Sequence, residues 1–257
     1  MDHLKWELDG KTAIVSITRP PANALSSQLI REIDELLTLL ENDERVRVII
    51  LHGEGRFFSA GADIKEFTTI STGEEFSKLA LNGQDVFERM EQYPKPIIAA
   101  IHGAALGGGL ELAMACHIRY VSETAKLGLP ELQLGLIPGF AGTQRLPRYV
   151  GPAKAAEMML TSEPISGTEA VEWGLATRAF PEEEVLEKAK ELAKKIEKKS
   201  PISVKAALHL LNYGKSEKFY LGAKKEAESF GTIFVSEDAK EGIQAFIEKR
   251  EPVFKGK

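Results

Sequence analysis

The chain has 257 residues, 33 Lys plus Arg against 38 Asp plus Glu, a formal charge of −5, and 28% charged residues. That mildly acidic balance withholds the overall attraction on which nonspecific nucleic-acid or anionic-membrane binding depends. The single cysteine, Cys116, excludes an intrachain disulfide framework and a Cys-rich zinc site, and no run of about 18 residues is apolar enough to span a bilayer.

The first ten residues, MDHLKWELDG, lack the basic stretch and apolar run of a secretory signal, so a cytoplasmic location is expected. Lys11 to Thr18 reads as a β-strand. Ser26 and Ser27 can cap a helix whose apolar positions Leu29, Ile33, Leu36, Leu37 and Leu40 recur at helical spacing. Val46 to Leu51 and Pro96 to Ile101 read as buried strands, Leu110 to Cys116 as a short buried helix, and Ile118 to Val121 as a further strand. From about Gly151 the pattern turns mainly helical. Val185 to Lys199 is amphipathic, Ser200-Pro201 opens the next helix through Leu211, and Glu237 to Arg250 closes the series with Ile243, Phe246 and Ile247 as its apolar stripe. Strands interleaved with helices predict an α/β core.

Charge is unevenly spread. Between Pro96 and Ile118 the only formally charged residue is Glu111, and between Leu127 and Gln144 it is Glu131. Both windows have the Gly, Ala, Leu and Ile content of buried turns and strands. An ionised carboxylate is disfavoured there unless paired, and a carboxyl group with a raised pKa suits general acid–base chemistry near neutral pH. The plainer alternatives are a first-turn acid settled by the helix dipole for Glu111 and a loop acid beside Pro130 for Glu131.

Glu111 follows the glycine run GAALGGG (Gly103 to Gly109), where backbone N–H groups at a helix start can approach a developing oxyanion closely. The run has neither the G-x-G-x-x-G spacing of a dinucleotide site nor a phosphate-loop Lys. A second turn, FFSAGAD (Phe57 to Asp63), only half-resembles a nucleophile elbow, so Ser59 is not expected to be a nucleophile. Cys116 reads as inert core. His52, His102 and His117 make no zinc arrangement, so no metal is expected.

The segments TRPPANALS (Thr18 to Ser26), FFSAGADIKE (Phe57 to Glu66), KPIIAAIHGAALGGGLELAMACHIRY (Lys95 to Tyr120), LGLPELQLGLIPGFAGTQRLPRYVG (Leu127 to Gly151) and EGIQAFIEKREPVFKG (Glu241 to Gly256) resemble the crotonase, or enoyl-CoA hydratase/isomerase, family along essentially the whole chain. The resemblance implies the crotonase fold, a spiral of repeated strand–strand–helix units over 1–198, with 199–257 as a helical oligomerisation region. It also implies a homotrimer or a hexamer made as a dimer of trimers. Hydration of a trans-2-enoyl-CoA is the implied reaction, with an acyl-CoA as substrate and no separate cofactor. The alternatives are another CoA-ester reaction such as double-bond isomerisation and, from a different class, RNA binding, which the acidic balance disfavours.

Residue by residue, the resemblance places an oxyanion hole on the N–H groups of Ala62 and Gly108 and the acid–base pair on Glu111 and Glu131. Glu111 is implied mainly to activate water and Glu131 mainly to protonate C2; sequence does not separate these roles. The adenine pocket falls on backbone at Ala60, Asp63 and Ile64, with Lys65 and Arg19 as phosphate partners. Pro20-Pro21-Ala22 lacks a lysine that many relatives carry there, which leaves phosphate recognition to other cations. Phe230 and Lys249 resemble tail residues that help a neighbouring subunit enclose the ligand. Acyl-chain specificity is expected from about Thr68 to Asp85 and from Phe140.

Overall fold

In a computed structural model the structure describes residues 1–67, 73–215 and 237–257. β1 (Leu4–Asp9) and β2 (Thr12–Ile17) form an antiparallel hairpin. Onto β2 are laid β3 (Val48–Gly53), β4 (Ile97–Ile101), β6 (Ile118–Ser122) and β9 (Arg178–Phe180), each parallel to its neighbour, giving a six-stranded sheet in the order β1-β2-β3-β4-β6-β9. A parallel sheet needs cover on both faces, and its strands accordingly read as near-continuous apolar runs, VIILHG and IIAAI. One face packs α7 (Val185–Ile196) through Val185, Ala189 and Ala193 onto Val48, Ile50 and Ile98. The other carries the main core, including α1 (Ser27–Glu41) with Ser26 as its cap and α3 (Gly73–Glu91) through Phe87 and Met90. The expected strands and helices are all present, most with ends shifted by one to three residues and the helix opened at Pro201 running on to Lys215.

A second, three-stranded sheet stands apart: β5 (Ala104–Leu106) pairs in parallel with β7 (Lys126–Gly128), which pairs antiparallel with β8 (Ile165–Ser166). β8 and β9 lie beyond Gly151, so that half is less uniformly helical than its pattern suggests. β5 runs straight into the glycine turn and α4 (Gly108–Ala115), which is buried along its whole length. α5 (Gly142–Thr161) packs beside it, broken at Gly151, and α6 (Gly167–Glu172) follows β8 with a Ser166–Glu169 capping box. α2 (Ile64–Phe67) is a single turn, and α8 (Pro201–Lys215) and α9 (Glu237–Glu248) complete the described helices. The stripe Ile243, Phe246 and Ile247 lies outside the described side chains. No described helix is long and apolar enough to cross a membrane.

Candidate active site

The segment from Ser59 to Asp63 is threaded between two others. Ala60 N–H donates to Ala22 O (2.9 Å), Leu25 N–H to Gly61 O (2.7 Å) and Asp63 N–H to Leu25 O (2.9 Å). On the opposite side Ser59 N–H donates to Ala104 O (3.2 Å) and Leu106 N–H to Ser59 O (3.1 Å). This strand-like stitching brings Ala62 beside the start of α4: a Cβ placed on Gly108 would stand 3.3 Å from Ala62 N. Neither the Ala62 nor the Gly108 N–H is used in a hydrogen bond among the described residues. Two of these glycines are sterically required. Gly107 caps α4 at φ +50, and a Cβ on Gly109 would fall 2.3 Å from Ser59 O.

Glu111 lies in the first turn of α4, 1% exposed. Its Oε1 accepts from the N–H groups of Phe140 (2.9 Å) and Gly142 (2.7 Å). Burial, reinforced by the negative charge of Glu131, raises its pKa to about 7, although those N–H donors and the Arg145 guanidinium oppose the rise. Glu131 opens a 3-10 turn (Glu131–Leu134) and is less enclosed. Burial raises its pKa too, and its Oε2 is buried without a hydrogen-bond partner among the described residues.

Both carboxyl groups line one cavity that opens to solvent. Ala60, Gly61, Ala62, Gly107 and Gly108 form its backbone-rich wall, and Leu79, Leu134, Leu136, Ile137 and Phe140 its apolar one. Phe140 packs edge-on against Phe87, ring centroids 5.3 Å apart. Leu134 and Ile137 are 57% and 74% exposed. The middle of the second charge-poor window, around Leu134 and Ile137, is therefore an open apolar rim, contrary to its composition, while Leu127, Leu129 and Phe140 toward its ends are buried, as is the first window.

Ala60 and Ile64 line the cavity. Asp63 is turned into the fold: its carboxylate is paired with Arg19 and accepts from Lys65 N–H (3.1 Å). Arg19 Nη1 donates to Ala24 O (3.0 Å), so its guanidinium braces the turn below the cavity. Lys65 is exposed on α2, and Lys249 is exposed at φ +55 just past α9. Phe230 and residues 68–72 of the expected specificity region lie outside the described residues. The Ser59 hydroxyl is fully buried and donates to Asn23 O (2.8 Å), which removes it as a nucleophile. Cys116 is buried with its thiol pushed up to about 12. Among the described residues no cluster of His, Cys, Asp or Glu gathers as a metal site.

The sequence reading missed Arg145 and Gln84. Gln84 Nε2 donates to Gly139 O (2.8 Å), and Arg145 joins Phe140 O and Glu91. The only sequence signal for Arg145 is its place near the start of α5, close behind an apolar stretch, while Gln84 falls within the region expected to set acyl-chain specificity without being singled out.

The cavity thus brings together two carboxyl groups and two N–H donors that take no hydrogen bond among the described residues, an arrangement suited to acid–base chemistry on a polarisable carbonyl compound. The profile of the enoyl-CoA hydratase/isomerase family matches residues 8–257, and the chain belongs to that family. It is 60% identical over 257 residues to a probable enoyl-CoA hydratase of Bacillus subtilis, covering all of both chains. It is 43% identical to a short-chain-enoyl-CoA hydratase of Clostridium acetobutylicum, over 97% of this chain and 96% of that one. The crystal structure of an enoyl-CoA hydratase from Bacillus anthracis superposes with a TM-score of 0.94 at 38% identity, over 99% of this chain and 100% of that one. The fold is thus the crotonase fold.

Proposed function

We propose that the chain adds water across the double bond of a trans-2-enoyl-CoA to give a 3-hydroxyacyl-CoA. The observation carrying this reading is the pairing of Glu111 and Glu131 in one cavity beside the unengaged N–H groups of Ala62 and Gly108. Those donors would receive the thioester oxygen as it gains charge, drawing electron density from C3. One water held between the carboxyl groups gives hydroxide to C3, and a proton reaches C2; nothing is oxidised or reduced. With a pKa near 7, Glu111 is ionised in a large fraction of molecules at neutral pH and can take the water proton. Glu131, the less tightly hydrogen-bonded of the two, is the group assigned to deliver the proton to C2. The two titrate as a pair, and the net reaction leaves the pair's protonation unchanged.

The same reading puts the adenine near Ala60 and Ile64 and has residues 199–257 build a homotrimer or hexamer in the cytoplasm. Named relatives that hydrate short-chain and crotonyl esters favour a short acyl chain. The test is loss of the conjugated enoyl-thioester absorbance when crotonyl-CoA is added. No hydration by the wild-type chain, with double-bond migration in a 3-enoyl-CoA instead, would replace this reading by isomerisation.

A further inference from the structure

The loop from Gly139 to Gly142 supplies both N–H groups that hold Glu111, and its shape is not self-sustaining. Ala141 stands at φ +68, a left-handed conformation that a residue with a side chain adopts at a cost. Such a conformation persists where its surroundings over-determine it. Here Gln84 holds Gly139 O at 2.8 Å, and Arg145 Nη1 donates to Phe140 O at 2.5 Å. Arg145 is 4% exposed, and its Nε donates to Glu91 Oε2 at 3.0 Å from the end of α3. The Phe140 backbone is therefore held on both sides of its Cα, by Arg145 on its carbonyl oxygen and by Glu111 on its N–H. Glu91 is itself fixed from a third direction, because Asn212 of α8 donates to its backbone oxygen at 3.1 Å.

We propose that Arg145, held in place by Glu91, is a positioning residue for the Glu111 carboxylate, acting through the Phe140 backbone and the 139–142 loop. The proposal rests on the hydration reading for its kinetic readout but not for its geometry. A guanidinium is suited to the task because one planar fork reaches the carbonyl and the carboxylate in fixed directions, which an ammonium cannot reproduce. The charged groups facing Glu111 are Glu131 from the 3-10 turn and Arg145 from α5; Glu91 of α3 stands behind Arg145, and β5 carries no titratable side chain.

Three variants of the full chain test it: Arg145→Lys, Arg145→Gln, and Arg145→Gln combined with Glu91→Gln, which removes both charges of the buried pair together. With crotonyl-CoA, Arg145→Gln should lower kcat by about 10- to 100-fold, as a displaced acid–base group does, while KM stays within about threefold. The acid limb of its kcat profile should move to higher pH, because a cation that favours the ionised carboxylate is gone. Arg145→Lys should keep the limb near its wild-type place yet lose part of kcat, separating charge from geometry. The double variant keeps the test open if the single one does not fold. Unchanged kcat and pH limb in Arg145→Gln or in the double variant, or a loss confined to KM, overturns the proposal. If the wild-type chain does not hydrate crotonyl-CoA, the hydration reading alone falls. Carbon-13 titration of Glu111 then decides: an upward displacement without Arg145 upholds the positioning role, and none overturns it.

Discussion

Glu111 sits in a helix turn buried along its length, with two N–H donors on one oxygen and a guanidinium one residue's backbone away, whereas Glu131 sits on a 3-10 turn at the cavity mouth with one oxygen unmatched. The pKa of each is raised by burial, so desolvation alone does not distinguish them. What differs is how tightly each is oriented. The first is a fixed acceptor whose ionised form is partly compensated. The second has an unmatched oxygen that a water can satisfy. A site that binds one reactant and moves a proton needs both kinds of group, one to define direction and one to remain available.

The comparison breaks most decisively at the carboxyl groups. Glu111→Gln and Glu131→Gln should each reduce kcat for crotonyl-CoA hydration by about 10²- to 10⁴-fold, measured at saturating substrate. Gln in place of Glu111 still offers an oxygen to Phe140 and Gly142, so near wild-type activity in either variant would show that carboxyl chemistry is not used. Next in size is the backbone wall. A methyl at Gly108 would stand 3.2 Å from the Phe140 ring and 3.3 Å from Ala62 N, inside the space for the oxyanion, so Gly108→Ala should cost about 10²-fold in kcat/KM.

A pH experiment sharpens the contrast. The negative charge of Glu131 helps hold Glu111 near 7, so Glu131→Gln should lower the Glu111 pKa and move its titration toward acid, read by carbon-13 chemical shifts. Stability follows with a defined sign. Glu111 binds its proton more tightly folded than unfolded, so between about pH 4.5 and 7 the native state retains protons the unfolded chain has lost, and stability falls as pH rises. Glu111→Gln escapes that loss and should be more stable than wild type at pH 8 by on the order of 3 kcal/mol, the advantage vanishing below pH 4.5. Thermal unfolding at the two pH values checks it. The smallest effect belongs to Ser59→Ala, which forfeits the hydrogen bond to Asn23 O for about 1 kcal/mol in urea unfolding and leaves kcat nearly unchanged.

Much of this was legible in the sequence because it is local. Apolar runs such as IIAAI show buried parallel strands, and a lone glutamate in an uncharged stretch is visible without any partner. β5, β7 and β8 span three, three and two residues, too few to carry a period. The Arg145–Glu91 pair joins residues 54 positions apart, and Glu111 reaches N–H donors 29 and 31 residues away; no spacing rule connects them. Leu134 and Ile137 misled for the opposite reason: their hydrophobicity is real, but it lines an opening.

That opening has an electrical consequence. Leu134 and Ile137 border the same space as the two carboxyl groups, and while they face water the field between the carboxyl groups is screened. An acyl chain laid along the rim would replace water with hydrocarbon, lower the local permittivity and lengthen the reach of every charge inside. The rim would then act as a dielectric seal, making the proton affinity of the pair a function of how much of it the ligand covers. Chain length would register as a change in the acid–base strength of the site as well as in affinity.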